Sequence, residues 1–178
     1  EAFTKALGGT IEPVYVHNQM MRRVDAAFGM TADGTAIVEV AQACGLELVK
    51  EDERNPMRAT TYGVGELLSR AVKRGCRNFI IGLGGSGTSD AGIGMLRALV
   101  DIFAKGKTFD DAMKTELGEC RFTLACDVDN PLCGENGAAY VYAPQKGATP
   151  QMVEQLDKRA QLFAEKSALH YGYDRSCC

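Results

Sequence analysis

The stretch that most limits what this chain can become runs from Asn78 to Met95. There a short apolar run, Phe79-Ile80-Ile81, passes directly into a loop holding Gly82, Gly84, Gly85 and Gly87. An apolar run bounded by turn residues reads as a strand buried on both faces, in the interior of a sheet. The glycines let the backbone take positive φ and approach a ligand closely, and Ser86, Thr88, Ser89 and Asp90 all suit the cap of a following helix. Strand, glycine loop and helix N-terminus in that order aim several amide N–H groups and the positive end of a helix dipole at one place. Such a place suits a phosphate or a carboxylate.

Three motifs can be tested against this loop. Gly82, Gly84 and Gly87 satisfy the G-x-G-x-x-G dinucleotide spacing, but the region near Asp101 reads as helix and not as the end of a second strand. A phosphate-binding P-loop ends in Gly-Lys-Ser/Thr, and no lysine lies between Lys73 and Lys105. A serine-hydrolase elbow needs glycine two residues after Ser86, where Thr88 stands.

At 178 residues and 46% apolar, the chain can build a core of ordinary size, read here as one α/β domain over 1–178. A net charge of −3 with intermixed signs, and no aromatic-basic interleaving, exclude a nucleic-acid binder. No apolar run approaches the roughly 20 residues that cross a bilayer, and no signal-peptide pattern opens the chain, so a soluble, cytoplasmic protein is expected. Cys44, Cys76, Cys120, Cys126 and Cys133 lack C-x-x-C spacing, and most of them read as small buried hydrophobes. His17 and His170 lie too far from any cysteine pair for zinc. Cys177 and Cys178 read as an exposed, oxidisable tail. The chain opens inside a helix, Ala2 to Leu7 closed by Gly8-Gly9, as a fragment of something longer would.

Taken in order, Ile11 to Val16 alternates as a strand, with Pro13 favouring an edge. Val24, Ala26 and Phe28, the turn Ala32-Asp33-Gly34 and the run Ala36 to Val40 form a hairpin, on which Glu39 reads as a solvated glutamate. A short helix from Val40 ends at Gly45, Lys50 to Arg54 is a solvated loop, and Asn55-Pro56 turns the chain. From Thr60 or Thr61, Val64, Leu67, Leu68, Ala71 and Val72 keep helical spacing up to Gly75. Thr60 and Thr61 either cap that helix or face the same ligand as the glycine loop, capping being the preferred role. A second stripe, Ile93, Met95, Leu96, Leu99, Val100 and Phe103, is core-facing helix, and Phe109 to Leu117 reads as another helix. Arg121 to Cys126 is expected as a buried strand running into Asp127, Asp129 and Asn130, and Ala138 to Tyr142 as a further strand. Lys146 is either a surface lysine or a phosphate's partner. Thr149 caps a last helix from Pro150 to Leu169. The expected fold class is α/β, a mixed, largely parallel sheet flanked by helices, with an N-terminal β-hairpin.

Three segments together resemble the bacterial glycerate kinases, which phosphorylate D-glycerate with ATP. Asn55 to Leu67 is similar to that family's N-P-x-x-x-T-T-x-G-x-G-E-L segment. Gly82 to Met95 resembles its G-x-G-G-S-A-T-N-D-G-G-x-G-M loop, and Ala125 to Ala148 its A-C-D-V-x-N-P-L…P-Q-K-G-A segment. Within the loop Gly87 stands in place of alanine, Ser89 of asparagine and Ala91 of glycine. The connection from Leu99 to Arg121 is shorter than the family's, either by its own design or because residues are missing. The family's flanking segments at both ends are absent, so the chain resembles the middle domain of a longer enzyme.

The resemblance implies transfer of the γ-phosphoryl of ATP, with Mg²⁺, onto D-glycerate, giving 2-phosphoglycerate before 3-phosphoglycerate. It implies that the amides of Gly84, Gly85, Ser86, Gly87 and Thr88, with the Ser86 and Thr88 hydroxyls, cradle a phosphate or the glycerate carboxylate. Asp90 is the first candidate for general base or Mg²⁺ ligand and Asp127 the second. Asn130 is placed to bind substrate and Lys146 to offset developing charge. A homodimer stays open. So do two other readings: a catalytically incomplete domain, and a generic anion- or nucleotide-binding module.

Overall fold

The computed structural model describes residues 2–173; Glu1 and the Cys177–Cys178 pair lie outside them. Five strands form one sheet in the order β1-β2-β3-β4-β5: Thr10–His17, Arg23–Met30, Thr35–Glu39, Asn78–Gly82 and Arg121–Ala125. The first three run as an antiparallel meander, and β3, β4 and β5 run parallel. The mixed α/β class and the hairpin expected from the sequence are therefore present. Pro13 sits on the edge strand β1, opposite Ala27, where its missing N–H costs no central ladder bond.

Helices follow where apolar spacing and caps agree. α1 (Ala2–Ala6) precedes the sheet, α2 (Ala41–Cys44) ends at Gly45, and α3 (Tyr62–Lys73) stops before Gly75, whose φ of 94° only glycine takes easily. α4 (Ile93–Phe103) crosses α3 so closely that a Cβ on Gly65 would stand 2.5 Å from the Met95 carbonyl oxygen. Val64, Leu67, Leu68 and Val72 of α3 pack with Phe79 and Ile81 of β4, Val16, Phe28 and Val38 of the meander, and Leu99 of α4, making the main core. Burying a side chain of this size contributes roughly 1.5–3 kcal/mol each. Glu66 fastens α3 to the end of β1, accepting from the His17 backbone N–H at 2.7 Å and lying 2.9 Å from its Nδ1.

Four expectations need correction. Ala138–Tyr142 is a helix, α6, and not a strand. A five-residue apolar run carries no decisive period, and here the turn Gly134–Gly137 and the packing of Ala139 and Ala143 on Val153 and Leu156 of α7 (Pro150–Tyr171) decide it. β5 is an exposed strand at the open edge of the sheet; Leu124 is 60% accessible. Within β4 only Phe79 and Ile81 are buried while Ile80 is half-buried, so the strand is central in order but covered fully on one face alone. The stretch Phe109 to Leu117 breaks into α5 (Phe109–Met113) and a 3-10 turn at Glu116–Glu119, since Thr108 and Thr115 each accept an amide hydrogen bond and start a new turn. Of the cysteines, Cys44 and Cys76 are buried as expected, Cys120 and Cys133 are half-buried and Cys126 is exposed.

Candidate functional site

The carboxyl ends of the three parallel strands converge. Register pairs Glu39 of β3 with Gly82 of β4, and Gly82 with Ala125 of β5, so Glu39, the glycine loop and Asp127 leave one edge of the sheet side by side. Ligands of open α/β sheets sit at such an edge. Glu39 is exposed there, as a solvated glutamate on an alternating strand should be, and only the register shows that it neighbours the loop.

The loop is clamped from one side. Leu46 N–H donates to Gly85 O at 2.9 Å and Gly87 N–H to Cys44 O at 2.6 Å, setting Gly45 opposite Ser86. Gly85 takes a φ of 71°, which needs glycine. Gly84 and Gly85 are exposed at the tip of a turn, and their N–H groups donate to nothing among the described residues. Thr88 turns inward: it is buried, and its Oγ1 lies 3.8 Å from the Cys44 sulfur. Of the two hydroxyls expected on the ligand side, the Ser86 hydroxyl alone is half-exposed.

Asp90 does not cap α4 from the N-cap position, which Gly92 holds. Its Oδ1 accepts from Gly92 N–H at 3.2 Å. Its Oδ2 accepts from Gly94 N–H at 3.0 Å, Thr61 N–H at 2.8 Å and Thr61 Oγ1 at 2.9 Å. The first turn of α4 is thus filled by the protein's own carboxylate, while the exposed Gly84 and Gly85 leave their N–H groups toward solvent. Gly94 has no room for a side chain: a Cβ would stand 2.0 Å from Thr60 Oγ1. The two threonines divide their work. Thr60 Oγ1 caps α3 by accepting from Tyr62 N–H at 3.2 Å, and Thr61 Oγ1 also accepts from Met95 N–H at 2.9 Å.

Lys146 is the charge at the centre of the site. It ends the turn Pro144–Lys146, is only 8% exposed, and reaches back to the loop, donating from Nζ to Ser86 Oγ at 3.3 Å and to the Thr88 carbonyl oxygen. No ion pair engages it among the described residues. Burial pushes its pKa below the ordinary lysine value, partly offset by Cys44 and the Asp90 carboxylate. Burial also pushes the Cys44 thiol up to about 11, so at neutral pH that group is uncharged and Asp90 is the charge that counts. The expectation of a surface lysine is set aside by this geometry. Asn130 spends its side chain inside its own segment, donating to the Asn136 carbonyl and accepting from Tyr142 Oη. Asp127 is exposed and makes no hydrogen bond among the described residues. A cleft of about 260 Å³ lies beside the loop, lined by Thr60, Ser89, Asp90 and Arg97 among others.

Fold and site define an α/β domain that presents a glycine loop and a buried lysine at the carboxyl ends of parallel strands. The chain belongs to the glycerate kinase family, whose model matches residues 1–176. It is 45% identical to a glycerate kinase of Haemophilus influenzae, with 80% of this chain and 42% of the relative covered. It is 38% identical to the glycerate 2-kinase of Escherichia coli K12, with 96% and 50% covered. A crystal structure of a protein assigned as glycerate kinase 2 in Salmonella typhimurium LT2 superposes with a TM-score of 0.86 at 36% identity, over 99% of this chain and 52% of that one. The chain spans about half the length of the relatives it matches. Among the described residues no helix is long and apolar enough to cross a membrane.

Proposed function

We propose that this chain carries the phosphate-handling part of a glycerate kinase, which transfers the γ-phosphoryl group of ATP to D-glycerate and yields 2-phosphoglycerate in preference to 3-phosphoglycerate. The observation that carries this reading is Lys146: a buried ammonium with no carboxylate partner among the described residues, hydrogen-bonded to a loop whose Gly84 and Gly85 amides are free among those residues. A lysine of that kind pays desolvation without an ion pair, and an incoming phosphate supplies the missing charge. The name of the Escherichia coli relative supports the 2-phosphate product.

In this reading the loop amides and Lys146 bind and orient the transferred group, since phosphoryl transfer depends mainly on positioning and charge neutralisation. Mg²⁺ is commonly held by one or two carboxylates together with substrate phosphates. The described residues contain no group of three or more candidate ligands, and Asp127, exposed just beyond β5, fits that mode. Mg²⁺ supplies neutralisation of phosphate charge when bound. Asp90, with both oxygens engaged, holds α3 and α4 in place, which leaves Asp127 as the carboxylate free for one of two roles: to hold Mg²⁺ or, instead, to take the substrate proton. The half-length of the chain favours a second reading, in which it binds phosphate but does not turn over alone.

The test is ADP release from MgATP with and without D-glycerate, on this chain and on Lys146→Met, beside isothermal titration with MgATP. Glycerate-dependent ADP release lost in Lys146→Met supports the full reading. Saturable MgATP binding without release, weakened at least tenfold in Lys146→Met, supports the half-site reading. Absence of MgATP binding in the folded chain overturns both.

A further inference from the structure

We infer that Gln19 is a positioning residue of the glycine loop, and that Gly87 is glycine because the Gln19 side chain occupies the space beneath it. This rests on the glycine loop being the phosphate site.

Gln19 lies in the turn between β1 and β2, far in sequence from every segment that carries the resemblance. It is 3% exposed. Its Nε2 donates to Gly45 O at 2.9 Å, and its backbone carbonyl accepts from Thr60 N–H at 3.0 Å. One residue therefore ties together the start of α3 and the strap Cys44–Leu46 that clamps the loop through Gly85 and Gly87. Gly87 does not take a positive φ, so the backbone conformation does not demand glycine there. Space does: a Cβ on Gly87 would stand 3.0 Å from Gln19 Nε2 and 3.2 Å from Leu46 Cα.

Gln19 Oε1 is buried and has no hydrogen-bond partner among the described residues. Turning the amide over would bring that oxygen against the Gly45 carbonyl, so the Nε2 bond fixes its orientation. A half-satisfied buried amide adds little net stability. Its effect falls on where the strap and the loop sit, which is what a positioning residue does.

The test uses ¹⁵N-labelled chain, as wild type, Gln19→Ala, Gly87→Ala and the double variant. Hydrogen exchange of the Gly87 and Leu46 amides, which make the two strap bonds, is read against amides of β4. Inorganic phosphate is titrated in parallel. Gln19→Ala is expected to speed exchange at those two amides by about tenfold with β4 unchanged, and to weaken phosphate binding by about fivefold. Gly87→Ala is expected to do the same by displacing Gln19, and the double variant to recover part of the loss, because the added methyl fills the vacated space. Additive effects in the double variant, or equal acceleration at β4 and the strap, overturn the inference. Failure of phosphate to bind wild type sinks the phosphate-site reading, while the exchange comparison still decides the role of Gln19.

Discussion

Asp90 and Thr61, twenty-nine positions apart, are joined twice: the carboxylate Oδ2 accepts from the Thr61 backbone N–H at 2.8 Å and from its hydroxyl at 2.9 Å. The same oxygen accepts from Gly94 N–H. One carboxylate thus serves the N-terminal ends of α3 and α4 together, where both helix dipoles favour negative charge.

That sharing separates two roles for Asp90. As a clamp, Asp90→Ala should lower stability by about 3 kcal/mol, since hydrogen bonds to a charged group are worth roughly 1.5–3 kcal/mol each and do not add fully. Thr61→Val should cost about 1–2 kcal/mol, and the double variant less than the sum. Urea unfolding of the four proteins measures this coupling. An unchanged midpoint in Asp90→Ala would point back to a general base.

Ala91 takes a φ of 51° immediately before Gly92. A side chain in that left-handed region costs about 1–2 kcal/mol, and glycine returns part of the gain to the entropy of the unfolded chain. Ala91→Gly should therefore stabilise the protein by about 0.5–1 kcal/mol, seen in calorimetry as a melting temperature higher by about 1–4 °C. A lower melting temperature would mean that the Ala91 methyl packs more tightly than its backbone is strained.

Burial holds the Lys146 pKa below that of an exposed lysine. Below the folded value the amine is charged in both states, and the native state carries the desolvation cost. As pH rises through the folded pKa the native amine loses its proton first, so the cost shrinks, and it is gone above the unfolded value. Stability relative to Lys146→Met should thus rise across that window, while phosphate affinity falls across it, because the neutral amine cannot pair with an anion. Titrations of unfolding and of phosphate binding against pH should move in opposite directions. A phosphate affinity that holds up to the ordinary lysine pKa would show that Lys146 does not make the contact.

The sequence by itself determined the strand, glycine loop and helix around Asn78 to Met95, the N-terminal hairpin, the apolar stripes of α3 and α4, and the Thr149 cap of α7, where Oγ1 accepts from Met152 N–H at 3.3 Å. Each is a local matter of period, turn residue or cap, so neighbours in the chain suffice to state it. The tertiary structure alone decided the rest. It made α6 a helix, left β5 exposed at the sheet edge, spent the Asp90 carboxylate on Thr61, put Gln19 under Gly87, and carried Lys146 sixty positions back to Ser86. Burial and hydrogen-bond partners at these places come from segments distant in the chain, and no period in the sequence encodes which distant segment will supply them.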